Sequence, residues 1–248
     1  MPNPWDAGSA RLLASLGFEA LATTSSGHAA TRGRLDYHVT REETLANAAA
    51  IVEATGLPVS ADLENLFSED ADGVAETISL AIATGLAGCS IEDFSGDEHD
   101  PIYQRPEAAE RVAAAAEAAH SGPLVLTARA ENHLHGRADL ADTIARLEAY
   151  QEAGADVLYA PGLTNAEDIR RVVESVDRPV NVLALAGAPP VEELARIGVS
   201  RISVGGAFAF VALGALAEAA SELRDRGTYG YAELAAAGRR AAQAAFGE

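Results

Sequence analysis

The chain is poor in cysteine: Cys89 is the only one among 248 residues, and it lies inside an apolar run. A single cysteine forms no disulfide framework, and it excludes a metal cluster built on several thiolates. The sequence therefore favours a reducing compartment, where a lone thiol needs no partner.

Basic residues and long apolar runs are scarce as well. The chain has 18 lysines and arginines against 37 aspartates and glutamates, which gives a formal net charge of −19. Long-range repulsion disfavours binding to nucleic acid or to an anionic membrane. No run reaches the apolar length of a membrane span, and the first six residues lack the basic and apolar regions of a signal peptide. These absences predict a cytoplasmic protein.

What the sequence does contain is an alternation of apolar, strand-like runs with alanine-rich helical stretches. Strands are predicted near 18–23, 58–62, 87–92, 124–129, 156–160, 179–184 and 201–204. Helices are predicted near 7–16, 41–55, 70–84, 106–120, 138–153, 165–175, 190–197, 206–225 and 230–244. This order predicts an α/β fold, a (β/α)8 TIM-type barrel formed by a single domain over residues 1–248. Only seven strands are visible. Either the first strand is a stub, of which only Pro2-Asn3-Pro4 remains, or residues upstream are missing from this sequence.

Three of the apolar runs end in charged residues. Asp62 and Glu64 follow the run at 58–62, Glu92 closes the run at 87–92, and Arg129 closes the run at 124–129. The carboxyl ends of parallel strands meet at one rim of a barrel, so these side chains are expected to face a common pocket. Carboxylates after strands also cap helices or stay solvated, and that alternative applies to each of them singly. Glu92 and Glu131 are the candidate structural partners for a buried Arg129.

The long connections all fall on the same side as these residues. They are the loops predicted at 24–40 and 93–105, and the first of them begins with the small residues Ser25, Ser26 and Gly27. Small side chains let a backbone approach an anion closely, although such a turn is also common in ordinary loops.

Together, the segments Pro2–Arg11, Ala22–Gly27, Asp62–Glu64, Ser90–Asp93 and Ala128–Glu131 resemble the isocitrate lyase and phosphoenolpyruvate mutase superfamily. The resemblance covers nearly the whole chain and keeps the order of the motifs. It implies a barrel that binds Mg²⁺ and a 2-oxo acid or its enolate, and that makes or breaks a C–C or C–P bond beside the carbonyl.

The resemblance also implies roles for individual residues. Asp62 matches the direct magnesium ligand, while Glu64, Glu92 and Asp36 match residues that hold the metal mainly through its waters; Glu64 stands where many members have aspartate. The candidate substrate-binding residues are Thr24, Ser25, Ser26, Gly27, Arg129 and Asn181. Arg129 and Asp36 are the candidate catalytic residues. Tyr159 is a weaker pocket candidate and is equally consistent with packing.

Two departures separate this sequence from the lyases of the superfamily. The loop that carries their catalytic cysteine reads Phe94-Ser95-Gly96-Asp97-Glu98-His99-Asp100-Pro101 here, without cysteine or lysine. Pro161 stands where the mutase has histidine and methylisocitrate lyase has glutamate. A proline side chain can neither donate nor accept a proton. His99 is the one candidate substitute, and a solvated loop histidine is the alternative.

The sequence therefore predicts a Mg²⁺-dependent carbon–carbon lyase or decarboxylase for a small 2-oxo acid or 2-oxo dicarboxylate. The alternatives are a phosphonopyruvate hydrolase or mutase acting on a C–P bond, and a binding protein without turnover. A homodimer or homotetramer is expected, because superfamily members pack a helix that follows the last strand onto a neighbouring barrel.

Overall fold

The computed structural model describes residues 1–97 and 99–247. Its strands are β1 (Leu21–Ala22), β2 (Val59–Asp62), β3 (Gly88–Glu92), β4 (Val125–Arg129), β5 (Val157–Tyr159), β6 (Val180–Leu183) and β7 (Arg201–Ser203). Its helices are α1 (Ala7–Ser15), α2 (Ser25–Thr31), α3 (Arg41–Ala54), α4 (Ala71–Ala83), α5 (Arg105–His120), α6 (Leu140–Glu152), α7 (Ala166–Ser175), α8 (Val191–Ile197), α9 (Ala207–Arg226) and α10 (Ala232–Phe246).

The strands form one parallel sheet in sequence order, β1 to β7, and the sheet curves into a nearly closed barrel. Every neighbouring pair is parallel, and between most consecutive strands one helix crosses back over the outside. The barrel predicted from the alternation of strands and helices is confirmed.

Residues 1–3 bridge the two ends of the sheet. The amino group of Met1 donates to the Ile202 carbonyl at 2.7 Å, and the Ala22 amide donates to the Pro2 carbonyl at 3.0 Å. The Asn3 side chain hydrogen-bonds backbone groups that follow both β1 and β7. This segment lies between β1 and β7, where an eighth strand would close the barrel, and it does not form a regular strand.

The helix boundaries follow from local capping. Asp6, Thr40, Asp70, Asp139 and Asn165 each accept a hydrogen bond from an otherwise unpaired amide in the first turn of the following helix. The inward helix faces are rich in alanine, which lets the helices approach the sheet closely. Apolar side chains from the strands, from α1 and from α3 to α8 pack into one continuous core.

Two predicted segments differ from the structure. The strand predicted at 18–23 is limited to Leu21 and Ala22, and the loop predicted at 24–40 contains helix α2. The helix was missed because its first residues, Ser-Ser-Gly, are typical of a turn, whereas Thr24 caps them by accepting from the Gly27 amide.

The last two helices lie outside the core. Among its described residues α9 buries only Ala209, and α10 buries none, although α10 contacts α1. Large apolar side chains of α9 are exposed, and they include Phe210, Val211 and Leu216. Across residues 1–97 and 99–247, no helix combines the length and the apolar character needed to cross a bilayer.

Candidate active site

The charged ends of β2, β3 and β4 meet at one rim of the barrel. In the strand register Asp62 pairs with Ser90, and Glu92 pairs with Arg129. The predicted convergence of Asp62, Glu92 and Arg129 is therefore present in the structure. They also lie beside Tyr159 and Asn181, which follow in the same hydrogen-bonded row of strands.

Arg129 is the centre of this rim. Its Nη1 donates to Asp62 Oδ1 at 2.8 Å, and its Nε donates to Glu131 Oε1 at 2.7 Å. Its Nη2 lies 3.1 Å from Glu92 Oε2. Burial acts to lower the pKa of Arg129, but the three carboxylates, Glu131 foremost, raise it well above the usual value. The structural partners expected for Arg129 are thus both present, and Asp62 is a third.

Asp62 links this cluster to the start of α2. The amide and hydroxyl of Ser25 donate to Asp62 Oδ2 at 3.1 and 3.0 Å, and the amide of Asp62 donates to the Thr23 hydroxyl at 2.9 Å. The predicted anion-binding groups of Ser25 therefore hold a carboxylate of the protein itself. They lie next to the candidate metal ligand, as predicted, but at a helix N-terminus and not in a loop.

Thr24, Ser26 and Gly27 shape the same turn. The Thr24 and Ser26 hydroxyls lie 3.2 Å apart, and a Cβ added to Gly27 would stand 2.6 Å from Thr24 Cγ2 and 3.1 Å from Trp5 Cβ. Only glycine fits this position, so the turn keeps its close contact with Trp5 and with α9. The role of these residues in substrate binding stays a prediction.

Further carboxylates crowd the rim. Glu64 is buried, and burial together with the neighbouring Asp62 and Asp36 raises its pKa to about 8. Burial also raises the pKa of Asp36, with Asp62 as the next cause, and burial raises that of Glu92 well above its usual value. Several carboxyl groups buried close together disfavour each other's ionised forms. A bound cation would reduce this repulsion and favour the ionised forms.

The backbone after β2 is strained. Glu64 has φ of 51°, and Leu66 and Phe67 have φ of 65° and 55°, a region that side chains other than glycine rarely adopt. Such conformations cost roughly 1–3 kcal/mol each and persist only where the surroundings impose them. The turn places the Glu64 carboxyl beside Asp62.

The donor set suits magnesium. Asp62, Glu64, Glu92 and Asp36 offer only oxygen ligands, and Glu92 Oε1 is buried without a hydrogen-bond partner in the described structure. Within residues 1–97 and 99–247, no group of three or more acidic, histidine or cysteine side chains is arranged to hold a metal ion. Asp62 and Glu92 are paired with the guanidinium of Arg129 instead.

A buried brace supports the rim from behind. Asp93 Oδ1 accepts from the Glu131 amide at 2.7 Å, and its Oδ2 accepts from the Tyr150 hydroxyl at 2.6 Å and from Arg146 at 3.1 Å. Asp93 follows β3 and Glu131 follows β4, so this carboxylate fixes the ends of the two strands that carry Glu92 and Arg129. No local sequence pattern predicts this role of Asp93.

Three rings cover the rim. The rings of Tyr37 and Phe94 are 4.7 Å apart, and Phe94 stacks on His135 at 4.0 Å. His99 is exposed farther along the same loop, and its catalytic role stays a prediction. Pro161 lies two residues past the end of β5.

The inside of the barrel below the rim is polar, a feature that was not predicted from the sequence. Asn181 Nδ2 donates to Ser203 Oγ at 3.0 Å, and Arg201 donates to Asn181 Oδ1 and to Thr127 Oγ1, both at 2.9 Å. These side chains line a cavity of about 40 Å³ that is shared with Asp62, Arg129 and Tyr159. Asn181, predicted as a pocket residue, is brought into it. Polar residues at alternate strand positions, such as Ser90 and Thr127, were the available signal.

The barrel and the charged rim at the carboxyl ends of its strands define the class of α/β-barrel enzymes. A family model described as phosphoenolpyruvate phosphomutase matches residues 1–224. The chain belongs to this family, within the isocitrate lyase and phosphoenolpyruvate mutase superfamily.

Individual relatives agree with this membership. A solved structure from Burkholderia cenocepacia J2315, provisionally described as a lyase/mutase, has 54% identity and a TM-score of 0.91, over 94% of this chain and 85% of that one. An uncharacterised protein of Mycobacterium tuberculosis is 31% identical over 91% of this chain and 84% of its own length. Oxaloacetate acetylhydrolase in complex with oxalate has 27% identity and a TM-score of 0.84, over 92% and 82% of the two chains.

Two relatives have named reactions. The 2-methylisocitrate lyase of Escherichia coli K12 is 29% identical over 74% of this chain and 65% of its own length. The oxaloacetate decarboxylase of Chromohalobacter salexigens is 29% identical over 89% and 79%. The relatives of this chain with named reactions thus include carbon–carbon lyases and decarboxylases.

Proposed function

We propose that this protein is a Mg²⁺-dependent carbon–carbon lyase or decarboxylase that acts on a small 2-oxo acid or 2-oxo dicarboxylate through an enolate. The observation that carries the proposal is Arg129, buried among Asp62, Glu92 and Glu131 at the open rim of the barrel. The named reactions of its relatives support the same class of chemistry.

The metal would be held by Asp62 directly and by Asp36, Glu64 and Glu92 mainly through waters, in line with their oxygen donors. When bound, Mg²⁺ supplies a Lewis acid that stabilises negative charge on the 2-oxo oxygen.

Arg129 supplies the second stabilising charge. Among its three carboxylate partners Asp62 is the most accessible, with 18% of its side chain exposed against 1% for Glu92 and none for Glu131. A substrate oxygen therefore replaces Asp62 at Nη1 of Arg129, while the other two partners keep the guanidinium in place. Cleavage of the bond between the carbons α and β to the carbonyl leaves its electron pair in the enolate, and Arg129 donates to the oxygen on which that charge collects.

The start of α2 has a related role. The amide and hydroxyl of Ser25 donate to Asp62 in this structure, and they would bind the substrate carboxylate, beside the amide of Ser26, if Asp62 served as a metal ligand. Decarboxylation makes the smallest demand on this site, because it needs no group to remove a proton from a substrate hydroxyl. For that reason we place decarboxylation of a 2-oxo dicarboxylate first.

The test combines binding and turnover. We expect oxalate, a planar dianion resembling the enolate of pyruvate, to bind with Mg²⁺ and not with EDTA in calorimetric titrations. Oxaloacetate should yield pyruvate and CO₂, and Arg129→Met should lower kcat/KM by about 100-fold or more. Arg137→Met, which alters an exposed arginine paired with Asp100, is the matched control and should change neither result. Oxalate binding that is equal with and without metal would contradict the proposal.

The same assay separates the alternatives. Turnover of phosphonopyruvate would favour C–P chemistry, which the acidic residues Asp97 and Asp100 on the loop beside the rim disfavour, because they repel a transferring phosphoryl group. Binding of 2-oxo acids without any turnover would favour a binding protein.

We further propose that the chain assembles as a dimer or a dimer of dimers. An open groove of about 790 Å³ runs between α8 and the start of β1, and it is lined by apolar residues including Phe18, Val191 and Ile202. The exposed apolar face of α9 in a second copy would cover such a groove.

A further inference from the structure

Arg201 is an interior cation outside the catalytic rim. It begins β7, and its side chain crosses the barrel to reach Asn181 on β6 and Thr127 on β4, at 2.9 Å each. Both partners are neutral. Within residues 1–97 and 99–247, no acidic side chain forms an ion pair with it, whereas Arg129 has three.

The isolation of this charge is reflected in its titration. Burial lowers the pKa of Arg201 to about 10, and among the described residues the phenol of Tyr159 acts in the opposite direction. Burying a guanidinium without a counter-charge costs desolvation free energy. A neutral side chain could connect β4, β6 and β7 at a lower cost in free energy. The position therefore suits an anion that arrives with a ligand.

The cavity beside Arg201 is continuous with the rim. Its lining includes Arg129 and Asp62 at the rim, and Thr127, Asn181 and Arg201 below. Thr127 and Arg129 are two residues apart on β4, which corresponds to about 7 Å along the strand. A ligand that binds at Arg129 and extends toward Thr127 would therefore bring its far end to the level of Arg201, which donates to Thr127.

We propose that Arg201, with Asn181 and Thr127, forms a subsite for the second carboxylate of a 2-oxo dicarboxylate whose 2-oxo acid end binds at Arg129. This inference rests on the proposed function and narrows its substrate class. The subsite selects dicarboxylates over 2-oxo monocarboxylates, because only a second carboxylate supplies the missing counter-charge. The hydroxyl of Thr127 and the amide of Asn181 orient the guanidinium toward the cavity.

Three probes separate the subsite from the rim. Oxalate is short enough to engage the rim alone, 3,3-difluorooxaloacetate carries a second carboxylate, and 2-oxobutyrate carries a methyl group in its place. In calorimetric titrations with Mg²⁺ we expect 3,3-difluorooxaloacetate to bind wild-type protein at least about tenfold more tightly than 2-oxobutyrate, the effect of one hydrogen-bonded charge pair.

Arg201→Gln keeps a polar side chain and removes the charge. This variant should lower the affinity for 3,3-difluorooxaloacetate by about tenfold or more, and it should change the affinity for oxalate less than threefold. Arg201→Lys keeps the charge and should retain most of the preference for the dicarboxylate. Circular dichroism and thermal melting check the fold of each variant.

The outcomes are distinct. If wild-type protein binds no oxalate in the presence of Mg²⁺, the proposed function fails and the subsite fails with it. If oxalate binds but 3,3-difluorooxaloacetate binds no more tightly than 2-oxobutyrate, the subsite is overturned and the proposed function stands. The same holds if Arg201→Gln weakens the binding of oxalate and of 3,3-difluorooxaloacetate equally, or weakens neither. Should Arg201→Gln not fold, the wild-type preference and its retention in Arg201→Lys decide the question.

Discussion

Glu64 offers a sharp test of the electrostatics of the rim. This carboxyl is buried at a strained backbone position beside Asp62 and Asp36, and its pKa is raised from 4.5 to about 8, with burial as the largest cause. The folded chain therefore holds a proton on Glu64 in a pH range where the unfolded chain has lost it. By linkage, the free energy of unfolding of the metal-free protein falls as pH rises from 4.5 through 8, and it levels off above that pH.

The size of the effect follows from the same values. Raising a pKa from 4.5 to about 8 corresponds to at most about 5 kcal/mol. The side chain of Glu64→Gln does not titrate, so its free energy of unfolding does not fall with rising pH for this reason. We expect the variant to gain several kcal/mol relative to wild type between pH 4.5 and pH 8.5 when both are treated with EDTA.

The assay is urea denaturation at both pH values, with and without Mg²⁺. Glu192→Gln on the exposed surface of α8 is the matched control and should follow wild type at both pH values. Mg²⁺ should restore stability at pH 8.5 more in wild type than in Glu64→Gln, since the cation neutralises the ionised carboxylate. Identical pH dependence of wild type and Glu64→Gln without metal would refute the reasoning.

Three further predictions concern other parts of the molecule. Cys89 is buried in β3, and burial raises its pKa to about 12. Thiol-blocking reagents at neutral pH should therefore leave activity unchanged, and inactivation that follows labelling of Cys89 would contradict this. Tyr150→Phe removes a 2.6 Å hydrogen bond to the buried carboxylate of Asp93, and it should lower the free energy of unfolding by about 1.5–3 kcal/mol in urea titrations. An unchanged midpoint would show that this hydrogen bond does not stabilise the fold. Light scattering at micromolar concentration should give the mass of a dimer or tetramer, and a monomeric mass would exclude the proposed packing of α9.

Much of the fold could be predicted because its signals are local. Apolar runs bounded by glycine or acid define the strands, and capping residues such as Thr40 and Asp70 define the helix starts within one or two residues. The rim acids could be predicted for the same reason, since the carboxyl ends of parallel strands always meet. Helix α2 escaped prediction because seven residues starting with Ser-Ser-Gly carry too weak a periodic pattern.

The sequence by itself thus determined the barrel and the residues at its rim, because each depends on the order of neighbouring residues along the chain. The tertiary structure alone decided the charge states and partners. Asp62 meets Arg129 across 67 positions of sequence, and Arg201 meets Thr127 across 74. An arginine at the start of a strand has the same local pattern whether it is solvated or interior. Only the closing of the barrel removes water from Arg201 and Glu64, and that desolvation gives the two side chains their unusual properties.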